Sequence, residues 1–211
     1  MDEKRATELL TRAGAFLEGH FVFTSKVHCA TYFNKDAVFA HPRITDELAQ
    51  ALALAFDKDR VEVVVAPEKG AIVLGHSVAG WLDKFRTTND HPPVLSAYAE
   101  KSDNGFVIKR GYSKLILGKR VLVVEDQLTT GGSAGKVVTT VERLGGIAVG
   151  VAALNNGGTT AEKLGVPKLV TLLQKVQQTY PEHECPMCFS GITVNTEVGH
   201  GKEFVASTAP V

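Results

Sequence analysis

The chain opens on an amphipathic pattern. Ala6, Leu9, Leu10, Ala13, Phe16 and Leu17 recur at helical spacing, which predicts a first helix with one apolar stripe. Phe21-Val22-Phe23 and Ala30-Thr31-Tyr32-Phe33 read as short strands. Pro42 begins a second helical stretch, with Leu48, Leu52 and Ala55 or Phe56 on one face. From there the pattern becomes regular. Val61-Glu62-Val63-Val64-Val65 is a β-branched run followed by a Pro/Gly loop, and the apolar stretch 70–82 is long enough for a helix. Val121-Leu122-Val123-Val124 leads into a glycine-rich loop. Val137, Val138, Val141 and Leu144 then form a helical stripe closed by Gly145-Gly146, and a further apolar run, 147–154, follows at once. Nearly all-apolar strands alternating with helices predict an open, twisted α/β fold whose parallel sheet is covered on both faces.

Composition sets the setting. The 211 residues are 44% hydrophobic and 22% charged, an ordinary globular balance that excludes wholesale disorder. Lys+Arg and Asp+Glu stand at 23 each, so no net basic field draws nucleic acid or an anionic membrane surface. No run approaches the roughly 18 apolar residues that span a bilayer, and the first fourteen residues lack the apolar core of a signal peptide. Three cysteines are too few for a secreted disulfide scaffold. The expectation is a soluble, cytoplasmic protein with no nucleic-acid or membrane partner. Its expected organisation is an N-terminal helix and hood over 1–40, a core over 41–178 and a tail over 179–211.

The chemistry concentrates after the central run. Glu125-Asp126-Gln127-Leu128-Thr129-Thr130-Gly131-Gly132-Ser133 follows a buried-type strand and opens a helix. In such sheets ligands bind beyond the carboxyl ends of the strands. The glycines let backbone N–H groups approach a ligand closely. The helix start attracts an anion, and Thr129, Thr130 and Ser133 add hydroxyl donors. The result is a cradle for a monophosphate. The acidic pair would repel that phosphate, so it suits vicinal hydroxyls, a partly cationic sugar or a divalent metal. A P-loop fails here: Gly131 and Gly135 enclose only three residues, and Val137 stands where the metal-binding hydroxyl belongs. Lys69, between Pro67 and Gly70, sits at another strand's carboxyl end.

These residues resemble the phosphoribosyl-diphosphate (PRPP) signature of type I phosphoribosyltransferases, and most of the chain is similar to the orotate branch of that family. Gly19-His20-Phe21 through Tyr32-Phe33 resembles its hood. Ala66-Pro67-Glu68-Lys69-Gly70 resembles its pyrophosphate loop. Tyr98-Ala99-Glu100-Lys101 with Lys109-Arg110-Gly111 resembles its catalytic hairpin, with 101–105 as the lid. The resemblance implies a Mg²⁺-dependent enzyme that moves ribose 5-phosphate from PRPP to a nucleobase nitrogen and releases pyrophosphate. Orotate, in pyrimidine biosynthesis, is the first-choice acceptor.

By the same resemblance Thr129–Ser133 hold the 5-phosphate, Glu125 and Asp126 the ribose hydroxyls, and Glu68, Lys69 and Gly70 the diphosphate. Gln127 and Leu128 complete the PRPP segment. Asp126, Lys101 and Lys69 are the catalytic candidates. Lys26, Tyr32, Phe33, Thr129 and Asn156 are the candidates for the base, and a homodimer is implied. One departure stands out. Where the orotate enzymes carry an Asp-Arg pair, this chain has Asn155-Asn156, and an amide lacks the charged fork that grips a carboxylate. Another pyrimidine, a purine or a nicotinate-like base therefore stays open as acceptor, as does a PRPP-sensing regulator without turnover. Finally, His183, Cys185, Cys188 and His200 supply the ligand types for a structural tetrahedral Zn²⁺ in the tail, on a CxxC spacing.

Overall fold

The structure, a computed structural model, describes residues 1–86 and 92–208; the last three positions of the expected tail lie outside the described residues. In chain order the elements are α1 (Glu3–Arg12), β1 (Phe16–Val22), β2 (His28–Phe33), α2 (Lys35–Phe39), α3 (Pro42–Ala55), β3 (Val63–Pro67) and α4 (Ile72–Lys84). There follow β4 (Leu95–Ser102), β5 (Gly105–Val107), β6 (Arg120–Leu128), α5 (Gly132–Arg143), β7 (Ile147–Asn156), α6 (Ala161–Leu164) and β8 (Leu169–Leu173). The chain finishes with β9 (Thr179–Tyr180), α7 (Pro186–Phe189) and α8 (Gly201–Thr208). Among the described residues no helix is long and apolar enough to cross a membrane.

The chain divides into two compact units. The larger comprises Met1–Glu8 and Phe39–Val176. Its six-stranded sheet runs β5-β4-β3-β6-β7-β8, parallel throughout except for β5, which turns back against β4. Strand alternation sends Val63, Val65, Val121, Val123, Val151 and Ala153 to one face, where Ala134, Val137, Val138 and Val141 of α5 pack on them. The intervening residues turn the other way. A Cβ on Gly75 of α4 would lie 2.8 Å from the Ala66 Cβ and 3.8 Å from Val64, so α4 approaches β3 as closely as it does because position 75 has no side chain. Burying each Val or Leu of these strands contributes roughly 1.5–3 kcal/mol. That explains why a run with hardly a polar residue sits at the centre of the sheet.

The smaller unit comprises Leu9–Val38 and the described residues from Gln177 onward. Its sheet, β1-β2-β9, is antiparallel. The segments read as hood and tail thus share one sheet, because His28 pairs with Tyr180 and Cys29 with Thr179. One expectation fails here. Phe16 and Leu17 continue the helical period of α1 yet belong to β1. The helix stops at Arg12. Gly14, at φ 75°, takes the left-handed conformation that ends it, with its N–H on the Thr11 carbonyl and the Ala15 N–H on the Leu10 carbonyl.

Candidate functional site

In the larger unit β6 delivers Glu125 to Leu128 at its carboxyl end, and α5 begins four residues later. Between them lies a cavity of about 310 Å³ lined by Glu125, Gln127, the segment 128–134 and Lys136. Thr129, Thr130, Gly132 and Ser133 are exposed to it. Gly131 is the hinge of the cradle. It sits at φ 77°, and a Cβ there would come within 2.8 Å of both Leu164 Cδ2 and Thr159 Oγ1. Both the turn and the close approach therefore require glycine.

The floor of the cradle is held from β7. Gly157 donates its N–H to the Leu128 carbonyl at 2.7 Å. The Asn156 side-chain oxygen accepts the N–H groups of Gly158 (3.0 Å) and Thr159 (2.8 Å), and its amide donates to the Thr159 carbonyl at 2.9 Å. Asn156 is 5% exposed. Its amide is committed to the 157–159 loop, which corrects the expectation that it faces a base. Asn155 is likewise engaged. It pairs with the backbone of Lys175, accepting its N–H and donating to its carbonyl.

The two acids differ in placement. Glu125 and Gln127 share one side of β6 and line the cavity. Asp126 is the alternate residue. It is 8% exposed, and its Oδ1 accepts the Gln127 N–H at 2.6 Å. Glu125, 6% exposed, takes the Asp126 N–H at 3.1 Å. Lys136, one turn into α5, lines the same cavity and brings a positive charge that is not among the expected site residues. Its spacing from Ser133 on a helix was the available signal.

The residues expected to form a pyrophosphate loop follow β3. Glu68 donates its N–H to the Ala99 carbonyl (2.9 Å), and its Oε1 accepts the Lys101 N–H (2.8 Å), tying this loop to β4. Lys69 is exposed, Gly70 half-buried, and the Glu68-Lys69 peptide is cis. The expected lid is a tight hairpin: Ser102 pairs with Gly105, and Asp103-Asn104 make the turn. Lys101 is exposed on it, while Glu100 is bridged by Arg110 at 2.7 Å.

The remaining base candidates belong to the smaller unit. Lys26 is exposed in the turn between β1 and β2, at φ 61°. Tyr32 and Phe33 do not act as a stacking pair, since neighbours on a strand face opposite ways. Tyr32 is half-buried with its ring 5.4 Å from Phe21 and 6.2 Å from Phe23, whereas Phe33 is a core residue 5.8 Å from Phe16.

The metal-ligand set differs from the expected one. Cys185 and Cys188 do come together, but with His20 and His28 in place of His183 and His200, and the four ligand atoms lie within 4.8 Å of one another. His183 is 79% exposed beside Glu184. His200 is hydrogen-bonded to Thr24 Oγ1 at 2.8 Å. Burial, then the neighbouring His20, lowers the His28 pKa from its ordinary value. Burial, then Cys185, pushes the Cys188 thiol up to about 11.

Residues 34–184 match the phosphoribosyl transferase domain family. The chain belongs to that family. It is 35% identical over 192 residues to the orotate phosphoribosyltransferase of Desulforamulus reducens, covering 91% of this chain and 94% of that one. With the orotate phosphoribosyltransferase of Thermus thermophilus it shares 36% identity over 187 residues, 88% of this chain and 95% of the other. Among solved structures, the orotate phosphoribosyltransferase of Mycobacterium tuberculosis in complex with PRPP superposes with a TM-score of 0.58 at 23% identity, covering 82% of this chain and 96% of that one. The phosphoribosyltransferase fold thus frames the strand–cradle–helix unit described above.

Proposed function

We propose that the chain transfers ribose 5-phosphate from PRPP to a ring nitrogen of a nucleobase, with orotate as the first-choice acceptor and pyrophosphate as the leaving group. The observation that carries this reading is the cavity at the end of β6, where a buried carboxylate and a glycine-hinged anion cradle meet within one segment. The 5-phosphate sits at the start of α5, on the N–H groups and hydroxyls of Thr129, Thr130 and Ser133. Glu125, which faces the cavity, accepts hydrogen bonds from the ribose hydroxyls, and the negative charge of the Glu125-Asp126 pair opposes the positive charge that builds on the sugar as the bond to diphosphate breaks. Lys69 and Lys101 face the diphosphate, and the Glu68 side chain holds the Lys101 backbone near that loop.

Mg²⁺ belongs to the same proposal. The oxygen donors beside the cavity suit a hard cation, and when bound with the diphosphate it neutralises charge on the leaving group. As the base nitrogen forms its bond to the anomeric carbon, the bond from that carbon to the diphosphate oxygen breaks and its electron pair leaves with pyrophosphate. Closure of the 101–105 hairpin excludes water, which would otherwise take the sugar. A homodimer and a cytoplasmic setting complete the reading.

A second reading, a different acceptor, draws on Asn156. Its amide is tied to the 157–159 loop, and no guanidinium stands where the orotate enzymes carry one. Pyrophosphate release in the presence of PRPP, Mg²⁺ and a panel of bases tests both. Turnover with orotate supports the first reading. Turnover with another base alone supports the second, and PRPP binding without turnover on any base indicates a sensor.

A further inference from the structure

We infer that His20, His28, Cys185 and Cys188 form a closed, structural zinc site that joins the β1–β2 hairpin to the C-terminal segment. The site assembles through register. Val22 pairs with His28 across the hairpin, and His20 lies where the register of β1 shifts between Glu18 and Phe21, with its ring centroid 4.9 Å from that of His28. The CxxC segment after β9 caps this pair.

The distances suit tetrahedral zinc. Zn–N bonds of about 2.0–2.1 Å and Zn–S bonds of about 2.3 Å place the nitrogen and sulfur corners of a tetrahedron roughly 3.5–3.6 Å apart. His20 Nε2 lies 3.5 Å from Cys185 Sγ and 3.7 Å from Cys188 Sγ, and His28 Nδ1 lies 3.4 Å from Cys188 Sγ. The two ring nitrogens are 2.7 Å apart, and tetrahedral Zn–N bonds call for about 3.3–3.4 Å, so the pair opens by roughly 0.6–0.7 Å around an ion. All four ligand atoms lie within 4.8 Å of one another.

The surroundings prepare the ligands. His20 Nδ1 lies 2.7 Å from the Ile192 carbonyl. A carbonyl only accepts, so Nδ1 carries the proton and Nε2 presents its lone pair to the cluster, as a metal-ligating histidine requires. The Cys188 N–H donates to Cys185 Sγ at 3.5 Å, an outer hydrogen bond of the kind that orients a ligand sulfur. His20, His28 and Cys185 are 2%, 0% and 0% exposed. Two thiolates in such a place are costly unless a cation offsets them, and a divalent ion with two neutral imidazoles makes the group neutral overall. Four protein ligands leave no open position, so the role is structural.

The test is metal analysis of the full chain purified under reducing conditions without chelator. The expected result is close to one zinc per chain. Cobalt exchanged for it should give the visible bands of tetrahedral Co²⁺ and a near-ultraviolet thiolate charge-transfer band. X-ray absorption on the wild type should resolve a shell of two sulfurs and two nitrogens, a readout independent of any variant's folding. His20→Gln and Cys188→Ser should lose the metal, while His183→Ala and His200→Ala keep it. Less than about a tenth of an equivalent of zinc with no cobalt spectrum, a disulfide between Cys185 and Cys188 in the reduced preparation, or loss of metal in His183→Ala with retention in His20→Gln would each overturn the assignment.

Discussion

The two chemically loaded regions of this molecule are built in opposite ways. The anion cradle is local: strand end, acidic pair, hydroxyls, glycine hinge and helix start follow one another within 125–136. The His/Cys cluster is non-local. His20 and Cys188 are 168 positions apart, and only hairpin register and the return of β9 bring them together. A contiguous segment can carry a binding function on backbone geometry alone, whereas the dispersed cluster exists only if its whole unit folds. Loss of one should therefore disable chemistry with the fold intact, and loss of the other should loosen a unit.

The largest effect expected is at the cradle. Glu125→Gln keeps the shape but removes the charge facing the cavity, and should lower PRPP-dependent turnover about 10²–10³-fold with an unchanged circular dichroism spectrum. Turnover within twofold of wild type would take Glu125 out of the chemistry. Next, a strong chelator should raise amide exchange in β1, β2 and the 181–195 segment while β3, β6 and β7 keep their protection. Uniform exchange changes across both units would erase the contrast drawn above.

Asn156→Ala is an intermediate case. It strips three hydrogen bonds from the loop beneath Gly131, and should cost roughly 1–3 kcal/mol in denaturant unfolding and raise the KM for PRPP more than that for the base. The reverse pattern, a base KM effect with stability preserved, would return Asn156 to the acceptor site. The smallest effect lies far from both regions. Glu62 accepts from Lys119 Nζ (2.8 Å) and the Arg120 N–H (3.0 Å), and these bonds, that of Lys119 first, lower its pKa from its ordinary 4.5. A depressed carboxylate stabilises the fold above its unfolded-state pKa and loses that contribution as pH falls through the folded value. Glu62→Gln should thus cost under about 1 kcal/mol at neutral pH, and the gap from wild type should close on acidification below about pH 4.5. A gap that persists at acid pH would assign the loss to packing.

Legibility in the sequence followed the same division. The parallel sheet could be read because β3, β6 and β7 are runs of buried apolar residues whose identity alone demands cover on both faces. The segment that lines the cavity could be located because its residues, within 125–136, are adjacent in the chain, whereas its support from Asn156 and Gly157 could not. The start of β1 was hidden, since Phe16 and Leu17 fall on the helical period by chance and only Gly14 marks the break. Asn156 looked available because a sequence does not show that its amide closes an Asx-type loop on Gly158 and Thr159. His20 and His28 escaped notice for a different reason. Ligand spacing inside the tail points to His183 and His200, while the pairing that brings the rings of His20 and His28 together is set across a hairpin whose register shifts between Glu18 and Phe21. Two histidines flanking a short turn, with a CxxC elsewhere in the chain, were the signal.

The central claim is that the segment 129–133 grips the terminal phosphate of the sugar donor. Isothermal titration of PRPP with Mg²⁺ into the wild-type chain and into Gly131→Val tests it most directly. The account predicts saturable heat at one site per chain in the wild type and its loss in the variant, where the added side chain meets Thr159 and Leu164. Absence of heat from folded wild-type protein would contradict it.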